Sequence, residues 1–305
     1  LMSIEIISSG LQTTIQDLGR EGLAHMGVPL SGGADKLSIK VANYLLGNDI
    51  NSPVIECTLT GPTLRFLKPY SIAITGANMN ARINDKEIKM YEVVKVKTND
   101  ILTMNNCLIG CRSYISLSEK IIAKKFLGSL STYLPANVGG LGGKALSKGS
   151  LIESESYKTK LNDPSSLNLD KLKPLTNKSI LKVFEGPEFN LLTEPSKKEI
   201  FSGTYVVSND SSRIGNRLDG KELKLVESGK MISCPVSIGT IQCPSNGLPI
   251  ILGCDSQTLG GYPRILQTAL VDLDLIGQLR PKDKIQFKKI SLEQGIEHLK
   301  KQQEK

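Results

Sequence analysis

The 305 residues are 39% hydrophobic and 22% charged with a formal net charge of +8, a balance that supports a sizeable core and excludes a disordered chain. Aromatics make up only 5%, with no Trp, while Gly (28) and Pro (14) are frequent, which favours short strands and turns over long helices. The lysines gather only over 158–182 and 282–305, without interleaved aromatics, so they read as a solvated surface and neither nucleic acid nor membrane is an expected partner.

Ser3 to Ile7 alternates as a strand does, and Gly10 ends it. Gly10 to Asp35 is dense in glycine and polar side chains and reads as an elaborate loop, either functional or packed over something. Asp35 is the N-cap of a helix whose Leu37, Val41, Tyr44 and Leu45 share one face, with Gly47 as the stop. Strands are expected at Val54–Leu59, Thr63–Phe66, Ser71–Thr75, Ala81–Ile83, Ile88–Val96, Ile101–Met104 and Tyr114–Leu117. A short helix over Glu119–Leu127 precedes a second glycine-rich loop, Phe126 to Leu146. From Leu151 to Ser179 the composition turns polar and loses its period. Strands resume at Ile180–Glu185, Thr204–Val207 and Glu222–Leu225, followed by a buried run, Pro249 to Gly253, that delivers Asp255, Ser256, Gln257 and Thr258 to a rim. Asp272–Leu279 reads as a short helix, and Ser291 with Gln294 has capping-box spacing ahead of an apolar face of Leu292, Ile296 and Leu299. The expected organisation is a β domain over 1–150, a polar linker or long loop over 151–179, a second β domain over 180–290 and a helical tail over 291–305.

The six cysteines, at 57, 107, 111, 234, 243 and 254, include no C-x-x-C pair and fit reduced, buried thiols. The first residues lack the basic region and apolar core of a signal peptide, and no apolar run reaches the ~18 residues of a membrane span. A cytoplasmic protein is therefore expected. Only His25 and His298 are present, so a His-based triad would rest on His25 alone, and no His/Cys cluster predicts a metal site. A phosphate loop fails at Gly143-Lys144-Ala145, where Ala stands in place of Ser or Thr. The run Gly140 to Ala145 matches G-x-G-x-x-A but lacks a flanking parallel strand and helix, and Ile88-Lys89-Met90 is a poor biotin acceptor. What remains is polar groups on glycine-rich loops: Asp17, Arg20, Ser31 and Asp35 in the first, Ser129, Ser131, Thr132 and Tyr133 in the second. Further on come Arg213, Arg217, Asp255, Gln257, Tyr262 and Arg264. Arginine forks suit carboxylate or phosphate, and Asp255 with Gln257 could orient a water or a polarised amide. Loop Asp and Arg also commonly bond neighbouring backbone, which is the structural alternative at each position.

Taken in order, GLQTTIQDLGREG, HMGVPLSGGAD, ECTLTGPTLRF, FLGSLSTY, GGLGGKAL, SSRIGNRLDG, IQCPSNGLPIILGCDSQTLGGYPRI and GQLRPKD resemble the KipA family, the biotin-dependent carboxyltransferase or allophanate hydrolase subunit 2 family, over roughly residues 4 to 290. The resemblance implies a mainly β fold of two cyclophilin-like β-barrel domains with a few short helices. It implies a KipI-like protein as partner. In the 5-oxoprolinase members a LamB/YcsF-like protein joins as a third component, and the complex opens 5-oxo-L-proline to L-glutamate with ATP. Arg213, Arg217 and Arg264 would then hold the substrate carboxylate or a phosphorylated intermediate. Other members accept CO₂ from biotin, which this chain would receive in trans, and one kind neutralises a KipI-type kinase inhibitor without catalysis. The chain departs from the family pattern at Leu130 and Ser256, where arginines recur, and at Ser212, where an Asp is common.

Overall fold

In the strand Met2–Ser8, Ile4 and Ile6 stand two residues apart and are both fully buried, the period-two signature of a sheet with one face on a core. This pattern recurs through the computed structural model, which describes residues 2–156, 161–162, 172, 174–226 and 231–303. The protein is mainly β and divides into two compact units, one of Leu1–Arg20 with Ser31–Leu175 and the other of Glu21–Leu30 with Thr176–Lys305.

The first unit has a seven-stranded sheet that includes Met2–Ser8, Thr63–Phe66 and Ile101–Thr103, and a five-stranded sheet. The five-stranded sheet runs in the order Gln12–Gln16, Val54–Thr58, Arg112–Leu117, Tyr70–Gly76 and Val93–Val96. Ile4, Ile6, Leu64 and Phe66 from one sheet join Ile15, Ile55, Ile72 and Ile115 from the other in one core. Each such side chain contributes about 1.5–3 kcal/mol on burial. Helix α1, Lys36–Leu45, packs on Tyr70–Gly76 and Arg112–Leu117 through Val41 and Leu45. Its cap is the expected one: Asp35 accepts from the Ser38 amide at 3.0 Å and the Ser38 hydroxyl at 2.6 Å.

Four segments of the first unit differ from their sequence reading. Of the expected strand Ile88–Val96 only Val93–Val96 is a strand, after a turn in which Tyr91 has φ 61°. Glu119–Leu127 is not a helix; Lys120–Ile122 is a strand pairing with Leu151–Glu155, because Ile121 has a core pocket to fill and a β-branched pair suits a pleat. Leu151–Glu155 itself, inside the expected polar connection, pairs with Met2–Ser8. Residues 157–160, 163–171 and 173 of that connection lie outside the described residues. Within the first glycine-rich loop, Gln12–Gln16 is a strand whose Thr13, Thr14 and Gln16 are buried, so its polarity conceals it.

In the second unit seven strands close into a barrel: Lys178–Glu185, Arg264–Thr268, Thr240–Gln242, Ile250–Leu252, Gly215–Asp219, Tyr205–Val207 and Lys284–Lys289. The last pairs parallel to the first, Leu181 opposite Phe287, leaving the ring without an open edge. Val183, Leu218, Ile241, Ile251, Ile265 and Phe287 fill it. The expected strand at Glu222–Leu225 is instead a connection: the Leu223 amide donates to Gly247 O and Leu225 bridges Leu192. Helix α2, Glu194–Ser202, is not legible in its polar sequence; α3, Leu273–Ile276, lies within the expected short helix. Helix α4, Leu292–Gln303, begins with a capping box, the Ser291 amide on Gln294 Oε1 at 2.9 Å and the Gln294 amide on Ser291 Oγ at 3.3 Å. Among the described residues no helix is long and apolar enough to cross a membrane. Burial pushes the Cys243 thiol up to about 11 and Cys57 higher still, so both behave as small core hydrophobes.

Candidate functional site

In the first unit the two glycine-rich loops meet on Asp17. Its carboxylate accepts from the Gly19 amide (2.8 Å), Ser129 Oγ (2.6 Å), the Leu130 amide (2.6 Å) and Ser131 Oγ (2.5 Å), with 3% of the residue exposed. Arg20, also buried, donates to the carbonyls of Phe126 and Ser131 and stacks on the Phe126 ring with its guanidinium 5.5 Å from the centroid. Glycine is required at Gly139, where φ is 72° and a Cβ would lie 2.0 Å from Ser131 O. Ser31 is fully buried with φ 54°, turning the chain so that Gly32 crosses closely over Gly19. Its hydroxyl has no hydrogen-bond partner among the described residues. Beyond it Glu56 accepts the Ala34 amide at 2.9 Å and faces Arg112 at 3.7 Å, while Tyr114 Oη accepts the Asp35 amide at 2.8 Å. Burial, reinforced by the Glu56 and Asp35 carboxylates, holds the Tyr114 phenol well above its ordinary value, so it stays protonated. Asp17 and Arg20 thus fix the two loops to each other, while Ser31 is buried in the following turn and Asp35 in the helix cap.

In the second unit Arg213 and Asp255 form a two-pronged ion pair, Nε to Oδ2 at 2.7 Å and Nη2 to Oδ1 at 3.0 Å, with both side chains about nine-tenths or more buried. The Asp255 amide also donates to Arg213 O at 3.0 Å, and Gly253 has no room for a Cβ, which would lie 2.3 Å from that same carbonyl. Arg264 is engaged in the same manner by Glu188, Nε to Oε2 at 2.8 Å and Nη2 to Oε1 at 2.6 Å. Sequence reading misses Glu188 because nothing nearby in the chain names its partner, 76 residues away. Arg217 and Tyr262 are exposed, and both line a pocket of about 360 Å³ on the barrel's outer surface. Gln257 is exposed on the rim beyond Asp255. Of the three arginines expected to hold an anion, Arg213 and Arg264 already have carboxylate partners, and Arg217 has none among the described residues. His25 lies exposed in the short turn Ala24–Met26. Among the described residues no group of three or more His, Cys, Asp or Glu side chains is placed to hold a metal ion.

At the three positions where a departure from the family pattern is expected, the Leu130 amide donates to Asp17, the Ser212 hydroxyl accepts the Ile214 amide at 3.2 Å, and Ser256 is buried next to Asp255.

The Glu188–Arg264 pair has a pH signature. The Arg264 guanidinium holds the Glu188 carboxyl below its ordinary value, so the stability it contributes is fully present above the unfolded value and is lost as pH falls through the folded one. The urea midpoint of Glu188→Gln is therefore expected below that of the parent at pH 6, with the gap closing below about pH 4. A gap that stays constant or widens on acidification contradicts this coupling.

This two-unit β fold with paired glycine-rich loops matches the carboxyltransferase domain, subdomain A and B, over residues 26–289, and the chain belongs to that family. It is 32% identical to the C component of the 5-oxoprolinase of Haemophilus influenzae over 292 residues, covering 96% of this chain and 93% of the relative. It is equally 32% identical to the C component of the Escherichia coli 5-oxoprolinase over 300 residues, covering 98% and 95%. Among solved structures, the urea amidolyase of K. lactis superposes with a TM-score of 0.92 at 31% identity, over 99% of this chain and 19% of that one.

Proposed function

We propose that this chain is the C component of a cytoplasmic, ATP-dependent 5-oxoprolinase, acting with a KipI-like protein and a LamB/YcsF-like protein to hydrolyse 5-oxo-L-proline to L-glutamate, and inactive alone. The observation that carries the reading is the match along 93% and 95% of the length of two proteins named as this component of 5-oxoprolinase. A lactam carbonyl is unreactive, so ATP bound elsewhere in the assembly would supply its activation, and water would then open the ring at the C–N bond to leave the amine and the carboxylate. The glycine-rich run Gly139 to Lys144 fits ATP poorly: Gly140 N–H already donates to Leu130 O and Gly143 N–H to Gly139 O, which removes two amides that a phosphate cradle needs. ATP is accordingly assigned to the assembly and not to this loop. Arg217 and Tyr262 are the contacts for an anionic ligand, Gln257 offers an exposed amide, and Asp255 acts as a positioning residue held by Arg213.

The test is coexpression with the two partner proteins. ATP-dependent glutamate release from 5-oxo-L-proline that requires all three chains supports the reading, and its absence from a co-purified complex rejects it. The resemblance to urea amidolyase favours a second reading, a carboxyltransferase that receives CO₂ from a biotinylated carrier in trans.

A further inference from the structure

The pocket beside Arg217 combines charges in a way that the substrate of the proposed reaction does not use. It is lined by one cation, Arg217, and two anions, Asp210 and Asp219, together with Asn246 and Tyr262. Arg217 and Asp219 are alternate residues of the strand Gly215–Asp219, so both project outward on one face about 7 Å apart at Cα, while Leu218 between them points into the barrel. Their neighbours across the sheet are apolar, Ile250 opposite Arg217 and Val206 opposite Asp219, which leaves both charges without a cross-strand ion pair among the described residues.

Asp210 is brought to the same recess by a loop stapled to the Arg217 backbone. The Ser208 amide donates to Arg217 O at 2.9 Å, and the Arg217 amide donates to Ser211 Oγ at 3.1 Å. The opposite wall is fixed by a turn in which Gly247 N–H donates to Pro244 O at 2.9 Å and Leu248 N–H to Asn246 Oδ1 at 3.1 Å. Gly247, with φ 75°, lies so close to Leu223 O that a Cβ would sit 2.4 Å from it. Both walls are therefore held before any ligand arrives, which lowers the ordering cost of binding.

We infer that this pocket binds a free α-amino acid in its zwitterionic form. The Arg217 fork takes the carboxylate, and Asp210 with Asp219 takes the ammonium group. A volume of about 360 Å³ holds such a molecule with several waters to spare. A lactam lacks the ammonium group and leaves both aspartates unanswered, so the pocket prefers an open-chain amino acid to 5-oxoproline. Binding stands on the pocket alone; its place as a product subsite, for glutamate, rests on the 5-oxoprolinase reading.

Titration calorimetry on the full chain separates binding from reaction. L-glutamate and L-alanine are expected to bind in the millimolar range, because the groups are partly solvated, with N-acetyl-L-glutamate and 5-oxo-L-proline at least about tenfold weaker. Arg217→Ala and Asp219→Asn, both at exposed strand positions, are each expected to weaken L-glutamate about tenfold. No heat with either amino acid up to about 20 mM, equal affinity for 5-oxo-L-proline, or indifference to both variants overturns the inference. Glutamate release by the assembled complex, measured separately, then decides the reaction whatever the pocket binds.

Discussion

Asp17→Ala is expected to unfold or severely destabilise the first unit. Four donors converge on the Asp17 carboxylate, two amides and two serine hydroxyls, and the residue is buried at the junction of two glycine-rich loops. A buried donor deprived of its acceptor costs about 1–3 kcal/mol, and charge-assisted bonds lie toward the upper end. The four share one partner and are not additive, so a total on the order of 4–6 kcal/mol is expected against a typical stability of about 5–15 kcal/mol. In thermal denaturation this corresponds to a midpoint roughly 10–20 °C lower, or to insoluble protein. Asp17→Asn keeps one carbonyl oxygen in place and is expected to lose about half as much. A variant within about 1 kcal/mol of the parent would show that the loops are held by something other than this carboxylate.

The second large effect concerns Arg213 and Asp255, an ion pair with both side chains out of water. Removing either partner strands a charge in the interior, and Arg213→Ala or Asp255→Ala is expected to cost about 3–5 kcal/mol. Replacing both by apolar groups of similar size, Arg213→Met with Asp255→Leu, removes the desolvation penalty together with the attraction and is expected to be close to neutral. A double-mutant cycle on urea denaturation therefore returns a large coupling. Single variants that simply add in the double would mean that the two residues act independently, which contradicts a shared clamp. In the clamp both carboxylate oxygens of Asp255 accept from the Arg213 guanidinium.

Local grammar is legible in the sequence and long-range partnership is not. The N-cap at Asp35 and the capping box at Ser291 and Gln294 involve groups three residues apart, so local residue order is enough to mark both caps. The strand Gln12–Gln16 stays hidden because its buried polar groups find their partners far along the chain, Gln16 Nε2 on Thr132 O for instance. Lys120–Ile122 reads as helix because its helix-like neighbours carry no trace of the pairing strand some thirty residues later. At the candidate site the sequence identifies polar residues on glycine-rich loops. It does not reveal that Arg213 and Arg264 are already matched to Asp255 and Glu188, while Arg217 faces a pocket. That division depends on register and loop closure, which only the folded chain sets.

Membership of a lactam-opening assembly, and not of a biotin-dependent one, is tested most directly by ATP-dependent glutamate formation from 5-oxo-L-proline. The measurement uses the complex of all three proteins, with excess avidin present to sequester biotin. Glutamate release unchanged by avidin, and abolished when this chain is left out, is the predicted result. No glutamate from the complete complex, together with avidin-sensitive carboxyl transfer to urea, would contradict it.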